Sequence, residues 1–529
     1  MGLNLGVHNT FSFHVLDFMI RRILLLLVIF CLSLLSTQET RGVPSQRYHT
    51  FYVVDQQTGR GVPLVELRTV GNVSYYTDSK GYVAFFEPGL MQQQLYFHVS
   101  SHGYRHEKDG FGYRGFRTIP APGKITTVKL KRLNIAERLY RITGEGIYRD
   151  TVLLGLQPPL KQPVLNAQVF GSDSTVNAVY RNQVYWFWGD TNRASYPLGN
   201  FHVPGATSPL MSPQSTDPSS GINLSYFVDN AGFAKKTCEM PGTGPTWLDG
   251  LVVLENAAGT EQLFGAYAKV KAPLTIYERG LVQWDDELQQ FNKITTFNLT
   301  DPLYPKGHPF IHATGTTNYI YFADPYPYVR VRMDLDALKQ AKQYESYTCF
   351  EQGARADHYS ITRNQNGEIQ YAWKKDTLPL THSLQEELIR TGQISREEGL
   401  FQTADSDTGA PLTLQRGSVY WNAYRQRWIM IGCQYGGTSV LGEIWFAESP
   451  QLVGPWKWAT KIVSHDHYSF YNPKQQPMFD QQGGRLIYFE GTYTTTFSKA
   501  TRKTPRYDYN QIMYRLDLAD PRLHTRDKK

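Results

Sequence analysis

Five stretches of this chain repeat one local pattern: an apolar run, a short polar or Gly-containing turn, then a second run rich in Val, Ile, Tyr, Phe and Trp. They are NAVYRNQVYWFWGDTN (177–192), LVVLENAAGTEQLFGAYAKV (251–270), FIHATGTTNYIYFADPY (310–326), SVYWNAYRQRWIMIGCQYGG (418–437) and PMFDQQGGRLIYFEGTY (477–493). β-Branched and aromatic runs joined by a tight turn are the signature of an antiparallel hairpin. The units start roughly 60–110 residues apart, longer than the ~40–50 residues of familiar repeat blades. Each hairpin therefore needs outer strands and long loops to complete its sheet.

Five such units predict a five-bladed β-propeller over residues 166–520, a ring that brings loops from every blade to one polar funnel. The text before them differs. From Tyr48 to about Leu133 the alternating runs are shorter, with turns at Asp55–Gly59 and Asp78–Gly81. Breaks every 8–12 residues or so predict a small β-sandwich over 48–133. Residues 134–165 form the linker, with one or two helical turns predicted for Ile135–Ile142. Pro158, Pro159 and Pro163 then break regular structure before the first blade. The other helical candidates are 336–344 and 382–391. The fold class is all-β, and a composition of 14% aromatic residues with 44 Gly and 29 Pro suits short strands and many turns.

Arg21 and Arg22 precede an apolar run, Ile23–Leu35, that is short for a membrane span and has the layout of a secretory signal. Residues 1–41 are read as a signal peptide with its true start at Met19. The product is then secreted, periplasmic or cell-surface, and it contacts a membrane only if the segment stays uncleaved. The net charge of +7 is scattered. Without a basic stripe it does not indicate nucleic acid, though it is compatible with an acidic polysaccharide. Cys238, Cys349 and Cys433 do not have zinc-site spacing, which leaves buried free thiols or one disulfide plus a free thiol. No metal ligand set or cofactor motif is read, although a structural Ca²⁺ on the propeller axis is left open. The oligomeric state is not legible.

Propeller chemistry gathers where the innermost strands begin. Asp173 precedes the first such strand and Asp249 the second. An acidic residue there has poor β-propensity and repels its counterpart across the axis, so function is the better reason for both; a turn-capping Asp is the alternative. The Asp opening blade one, the aromatic strand after it and SPQLVGPWKW (449–458) resemble the five-bladed propeller glycoside hydrolases, the arabinanase, xylosidase and levanase-like group. VVDQQTGRGVP (53–63) and YTDSKGYVAF (76–85) resemble the transthyretin-like, carboxypeptidase-regulatory-like sandwich.

The resemblance implies Asp173 as general base or nucleophile, Asp249 as an orienting carboxylate and a later-blade Glu as acid. The blade-four opening, Gly409-Ala-Pro-Leu-Thr413, has no Glu. Asp190, beside a Trp-rich strand that would raise its pKa, and Glu490 in YFEGTY are the replacement acids. Glu443 ranks behind them and is kept as a substrate contact, with Glu278, Arg279, His308, Asp324 and Tyr326. Trp247, Tyr326 and Tyr493 are candidate sugar-stacking rings, although core packing between blades is the usual fate of Tyr and Trp within strands. The function read is hydrolysis of glycosidic bonds in a polysaccharide or oligosaccharide. The alternatives are a non-catalytic carbohydrate-binding or adhesion protein, and a lyase using His308 or a Tyr as base with Arg279 on a uronate.

Overall fold

The computed structural model describes residues 47–523 apart from 211–216, 501–502, 504–505 and 507–508; residues 1–41, read from the sequence as a signal peptide, lie outside them. The chain is all-β, with three short α-helices among the described residues, at Arg149–Leu153, Leu335–Leu338 and His382–Arg390. The latter two coincide with the helical candidates of the sequence.

Residues 49–132 form two four-stranded sheets. The strand His49–Asp55 lies between Tyr82–Phe85, antiparallel, and Ile125–Arg132, parallel. Alternate residues of both sheets meet in one core that includes Phe51, Val53, Leu67, Phe85, Phe97 and Leu130. Phe51 meets Phe97 edge-on at 4.8 Å, a geometry that adds to burial of roughly 1.5–3 kcal/mol per large side chain. Both predicted turns close: Gly59 N–H donates to Asp55 O at 2.8 Å and Gly81 N–H to Asp78 O at 2.9 Å. Gly81 is required, because its φ is +84° and a Cβ there would lie 2.6 Å from Val53 O.

Six further sheets follow: a three-stranded one of Val169–Ser172, Thr191–Arg193 and Tyr196–Asn200, and five larger ones in chain order, here sheets I to V. The opening strands of sheets I to V are Thr175–Tyr180, Thr246–Glu255, His308–Thr314, Leu414–Asn422 and Ser469–Gln475. Each pairs antiparallel with the next strand of its sheet. Five apolar cores lie between them in cyclic order. Phe187 and Trp284 join I to II, Phe264 and Phe322 join II to III, and Tyr328 and Trp428 join III to IV. Phe446 and Phe489 join IV to V; Trp186 and Tyr488 join V back to I. One strand serves two cores. In VYWFW, Trp186 and Trp188 stack at 6.4 Å toward sheet V, while Phe187 packs 5.3 Å from Trp284 toward sheet II. Burial on both faces is why that run is apolar without alternation.

Two expectations are corrected. Residues 135–142 do not form helical turns. Glu137–Arg141 is a strand, buried at every residue, that pairs antiparallel with Asn510–Asp517 as the outer edge of sheet V. An unpaired sheet edge outcompetes a weak local helical preference. The fifth hairpin is also displaced: its first strand is Ser469–Gln475, paired with Leu486–Thr494. The apolar Pro477–Phe479 is instead a single 3₁₀ turn with Pro at its start. Cys238, Cys349 and Cys433 are free and buried.

Candidate functional site

Every opening strand has a residue with positive φ just before it or no further along than its midpoint: Ser174 (23°), Gly250 (56°), Gly307 (92°), Arg416 (48°) and Asn472 (50°). In sheets II, IV and V these coincide with register shifts, between Asp249 and Val252, Gln415 and Gly417, and Tyr471 and Lys474. Such bulges unpair a residue and re-aim its side chain. Three of the five are not glycine, and a left-handed residue costs of order 1–3 kcal/mol. The five starts carry Asp173, Asp249, His308, Arg416 and Tyr471.

Asp173 and Asp190 stand together at the start of sheet I. Asp173 N–H donates to Asp190 O at 2.8 Å, and Gly189 N–H to Asp173 O at 2.8 Å. The Tyr471 and Ser174 hydroxyls each donate to Asp173 Oδ1 at 2.8 Å. Asn472 Nδ2 reaches Ser174 Oγ from sheet V at 2.5 Å, and Ser174 N–H donates to Thr492 Oγ1 at 2.9 Å. Burial raises the pKa of Asp173, and the Tyr471 and Ser174 hydrogen bonds pull it part of the way back. Burial, then the charge of Asp173, pushes Asp190 up to about 7. Asp190 Oδ1 is buried with no hydrogen-bond partner among the described residues.

Asp249 lies in a different environment. Its Oδ2 accepts from Arg416 Nη1 at 2.9 Å, and the same nitrogen lies 3.4 Å from Asp324 Oδ1. Asp324 Oδ2 is paired with Lys306 at 2.5 Å. Burial would raise Asp324, but Arg416 and Lys306 outweigh it and hold its pKa low. Buried His308, beside them, is held neutral by desolvation and by Lys474 and Arg416. Sheets II, III and IV thus meet in an alternation of fixed charges.

Glu490 lies in the seam between sheets V and I. It is fully buried, with Oε1 accepting from Gln476 at 2.7 Å and Oε2 from Thr175 at 3.2 Å. Lys474, its register partner on the opening strand, donates to Asn177 O at 2.8 Å. Desolvation raises Glu490 and lowers Lys474, and their mutual attraction opposes both shifts.

The remaining sequence candidates lie apart from these groups. Glu278 accepts from Tyr267 at 2.6 Å and Lys293 at 3.2 Å in the third strand of sheet II. Arg279 donates to the carbonyls of Asn298, Leu299 and Asp301 and stacks 4.0 Å over Tyr304. Tyr326 is buried between sheets III and IV, its hydroxyl 2.8 Å from Thr403 Oγ1. Glu443 is buried and accepts from Thr438 N–H at 2.8 Å. Tyr493 is core, whereas Trp247 is 37% exposed at the start of sheet II, which leaves only this ring of the three open for stacking. Sequence reading assigned no role to Tyr471, Arg416, Lys306 and Lys474. The legible signals were Arg-Gly inside a strand and the Tyr-Asn-Pro-Lys run.

Two of the cavities among the described residues lie elsewhere. One of about 310 Å³ is lined by Ile147, Leu160, Asn166 and Tyr226. The second, of about 440 Å³, is lined by His102, Arg105, Arg114 and Asp466. Neither is lined by the strand-start carboxylates. Among the described residues no three His, Cys, Asp or Glu side chains converge as metal ligands.

No protein-family model and no curated protein matches the chain. Among solved structures it is similar to an exo-1,5-α-L-arabinanase from a bovine ruminal metagenomic library, at 11% identity over 66% of this chain and 94% of that one, TM-score 0.33. It is similar also to the Penicillium chrysogenum α-L-arabinanase complexed with arabinobiose (12%, 73% and 99%, TM-score 0.33). A third is the Phanerochaete chrysosporium exo-β-1,3-galactanase with galactose (12%, 66% and 61%, TM-score 0.32). The sheet order and the five shared cores describe the architecture.

Proposed function

We propose that sheets I to V are the blades of a five-bladed β-propeller preceded by a transthyretin-like β-sandwich, and that this protein hydrolyses glycosidic bonds in a secreted or cell-surface setting. The observation that carries the reading is the Asp173–Asp190 pair. Two carboxyl groups share one strand start, and their environments separate their roles. Asp173 receives two hydroxyl hydrogen bonds, which favour its ionised form, and serves as base or nucleophile. Asp190 receives none at Oδ1, keeps its proton to about pH 7, and serves as the acid. Glycoside cleavage needs this combination of one protonated and one ionised carboxyl group.

Asp249, fixed by Arg416, orients substrate from the facing side of the ring. Glu490 is assigned to the seam, since both its oxygens are bonded within the protein. The substrate is a polysaccharide or oligosaccharide. A non-catalytic carbohydrate-binding role is the second reading, favoured by the sealing of Glu490, which leaves no later-sheet Glu beside Asp173. The lyase reading loses Arg279 as its uronate partner, because that guanidinium is engaged by three backbone carbonyls.

A glycan panel assayed for new reducing ends tests the proposal. Release by the wild-type chain should be abolished in Asp173→Asn and in Asp190→Asn with melting curves still cooperative. Unchanged turnover in either variant removes that residue from the chemistry. Binding without release selects the second reading.

A further inference from the structure

Arg416 occupies the bulge of sheet IV with φ of +48°, an uncommon conformation for a long side chain. A third of that side chain is exposed; Nη1 donates its hydrogen bond to Asp249 and lies 3.4 Å from Asp324 Oδ1. Neither Nε nor Nη2 hydrogen-bonds to any of the described residues. Those two nitrogens form the side-on edge of a guanidinium, whose two parallel N–H groups match a carboxylate. Elsewhere in this chain that edge is used in this way. Arg425 grips Glu448 through Nε and Nη2 at 2.9 and 2.7 Å, Arg485 grips Asp517 at 2.9 and 2.8 Å, and Arg522 grips Asp520 at 2.9 and 2.6 Å. Lys306, 46% exposed, adds a second cation through Asp324.

We infer that Arg416, supported by Lys306, receives the carboxylate of an acidic sugar, so that the substrate class is a uronic-acid-containing saccharide. This rests on the carbohydrate reading above and deepens it. Asp249 and Asp324 hold the guanidinium in place through one nitrogen and leave its carboxylate-matching edge toward ligand. A purely structural bridge between sheets would need Nη1 alone and would show no preference among sugars. A neutral hydroxyl takes one N–H of that edge, whereas a carboxylate takes both.

The test is calorimetric titration of the full chain with oligogalacturonides and oligoglucuronides, each compared with its carboxyl-reduced counterpart. The acidic member of at least one pair should bind at least about tenfold more tightly, as expected for hydrogen bonds to a charged group, and the preference should shrink with added salt. Arg416→Gln should abolish the preference, and Lys306→Met should reduce it severalfold. Lys306 is exposed, so the second variant decides if the first does not fold. Equal affinity within every pair, or no binding by any acidic member, overturns the inference. The two readings fail separately: cleavage of a panel sugar with no carboxylate preference keeps the hydrolase and removes the uronate. A preference without cleavage does the reverse.

Discussion

Asp173 and Asp249 occupy equivalent positions, each just ahead of or within the start of an opening strand, yet they sit in opposite kinds of environment. Around Asp173 the partners are the Tyr471 and Ser174 hydroxyls, with the Asp190 carboxyl near enough to feel its charge and no cation bonded to it among the described residues. Around Asp249 the partner is Arg416, within a chain of charges that runs on through Asp324 to Lys306. The first arrangement raises the pKa of both carboxyl groups through burial, that of Asp190 to about 7. The second fixes charge and geometry. The contrast teaches that strand position alone does not assign a carboxylate its task; the neighbour contributed by a distant sheet does.

The contrast can be broken most severely at the seam that joins sheets V and I. Glu490→Gln removes the charge that opposes the lowering of the Lys474 pKa and disturbs a sealed polar seam, and unfolding by denaturant should reveal a loss of about 1–3 kcal/mol. Adding Lys474→Met should restore much of it. If the single variant is as stable as wild type, Glu490 is not a seam residue and returns as an acid candidate.

On the Asp173 side, Asp190→Asn should reduce turnover by roughly 10²–10⁴-fold, the usual worth of a positioned acid. The same change should stabilise the fold. A carboxyl group whose folded pKa is raised binds its proton more tightly in the native state, so stability falls as pH rises from about 4 toward about 7. Removing it relieves that loss, and melting temperature should rise at pH 8 and hardly change at pH 4. A melting temperature lowered equally at both would contradict the assigned environment.

Tyr471→Phe is a milder probe of the same side. It removes one hydrogen bond from ionised Asp173, whose pKa then rises further. The acidic limb of the pH–rate profile should move upward by about one unit or less, as one hydrogen bond to a charged group allows. A superimposable profile would show that the hydroxyl does not tune Asp173. The smallest effect belongs to Glu278→Gln, which breaks a partly exposed pair with Lys293. Stability should change by less than about 1 kcal/mol and turnover not at all; a marked activity loss would bring the outer face of sheet II into the site.

Local patterning made much of this legible. Four of the five hairpins lie where alternation and turn residues put them, and the two N-terminal turns close at Asp55–Gly59 and Asp78–Gly81. The position of Asp173, an acid just ahead of an apolar strand, was legible too. The hidden parts are long-range. Glu137–Arg141 is a strand only because Asn510–Asp517 supplies its partner more than 360 residues away. The PMF run was misplaced because an apolar stretch after proline has the same hydrophobic pattern whether it forms a strand or a single tight turn.

By itself the sequence determined the repeating unit, an aromatic hairpin with both faces destined for burial, since side-chain alternation is a property of neighbours in the chain. Only the tertiary structure decided which carboxyl groups stay protonatable, which are neutralised and which are sealed into a seam. That depends on solvent exclusion and on counter-groups from other sheets, and neither is written in local order.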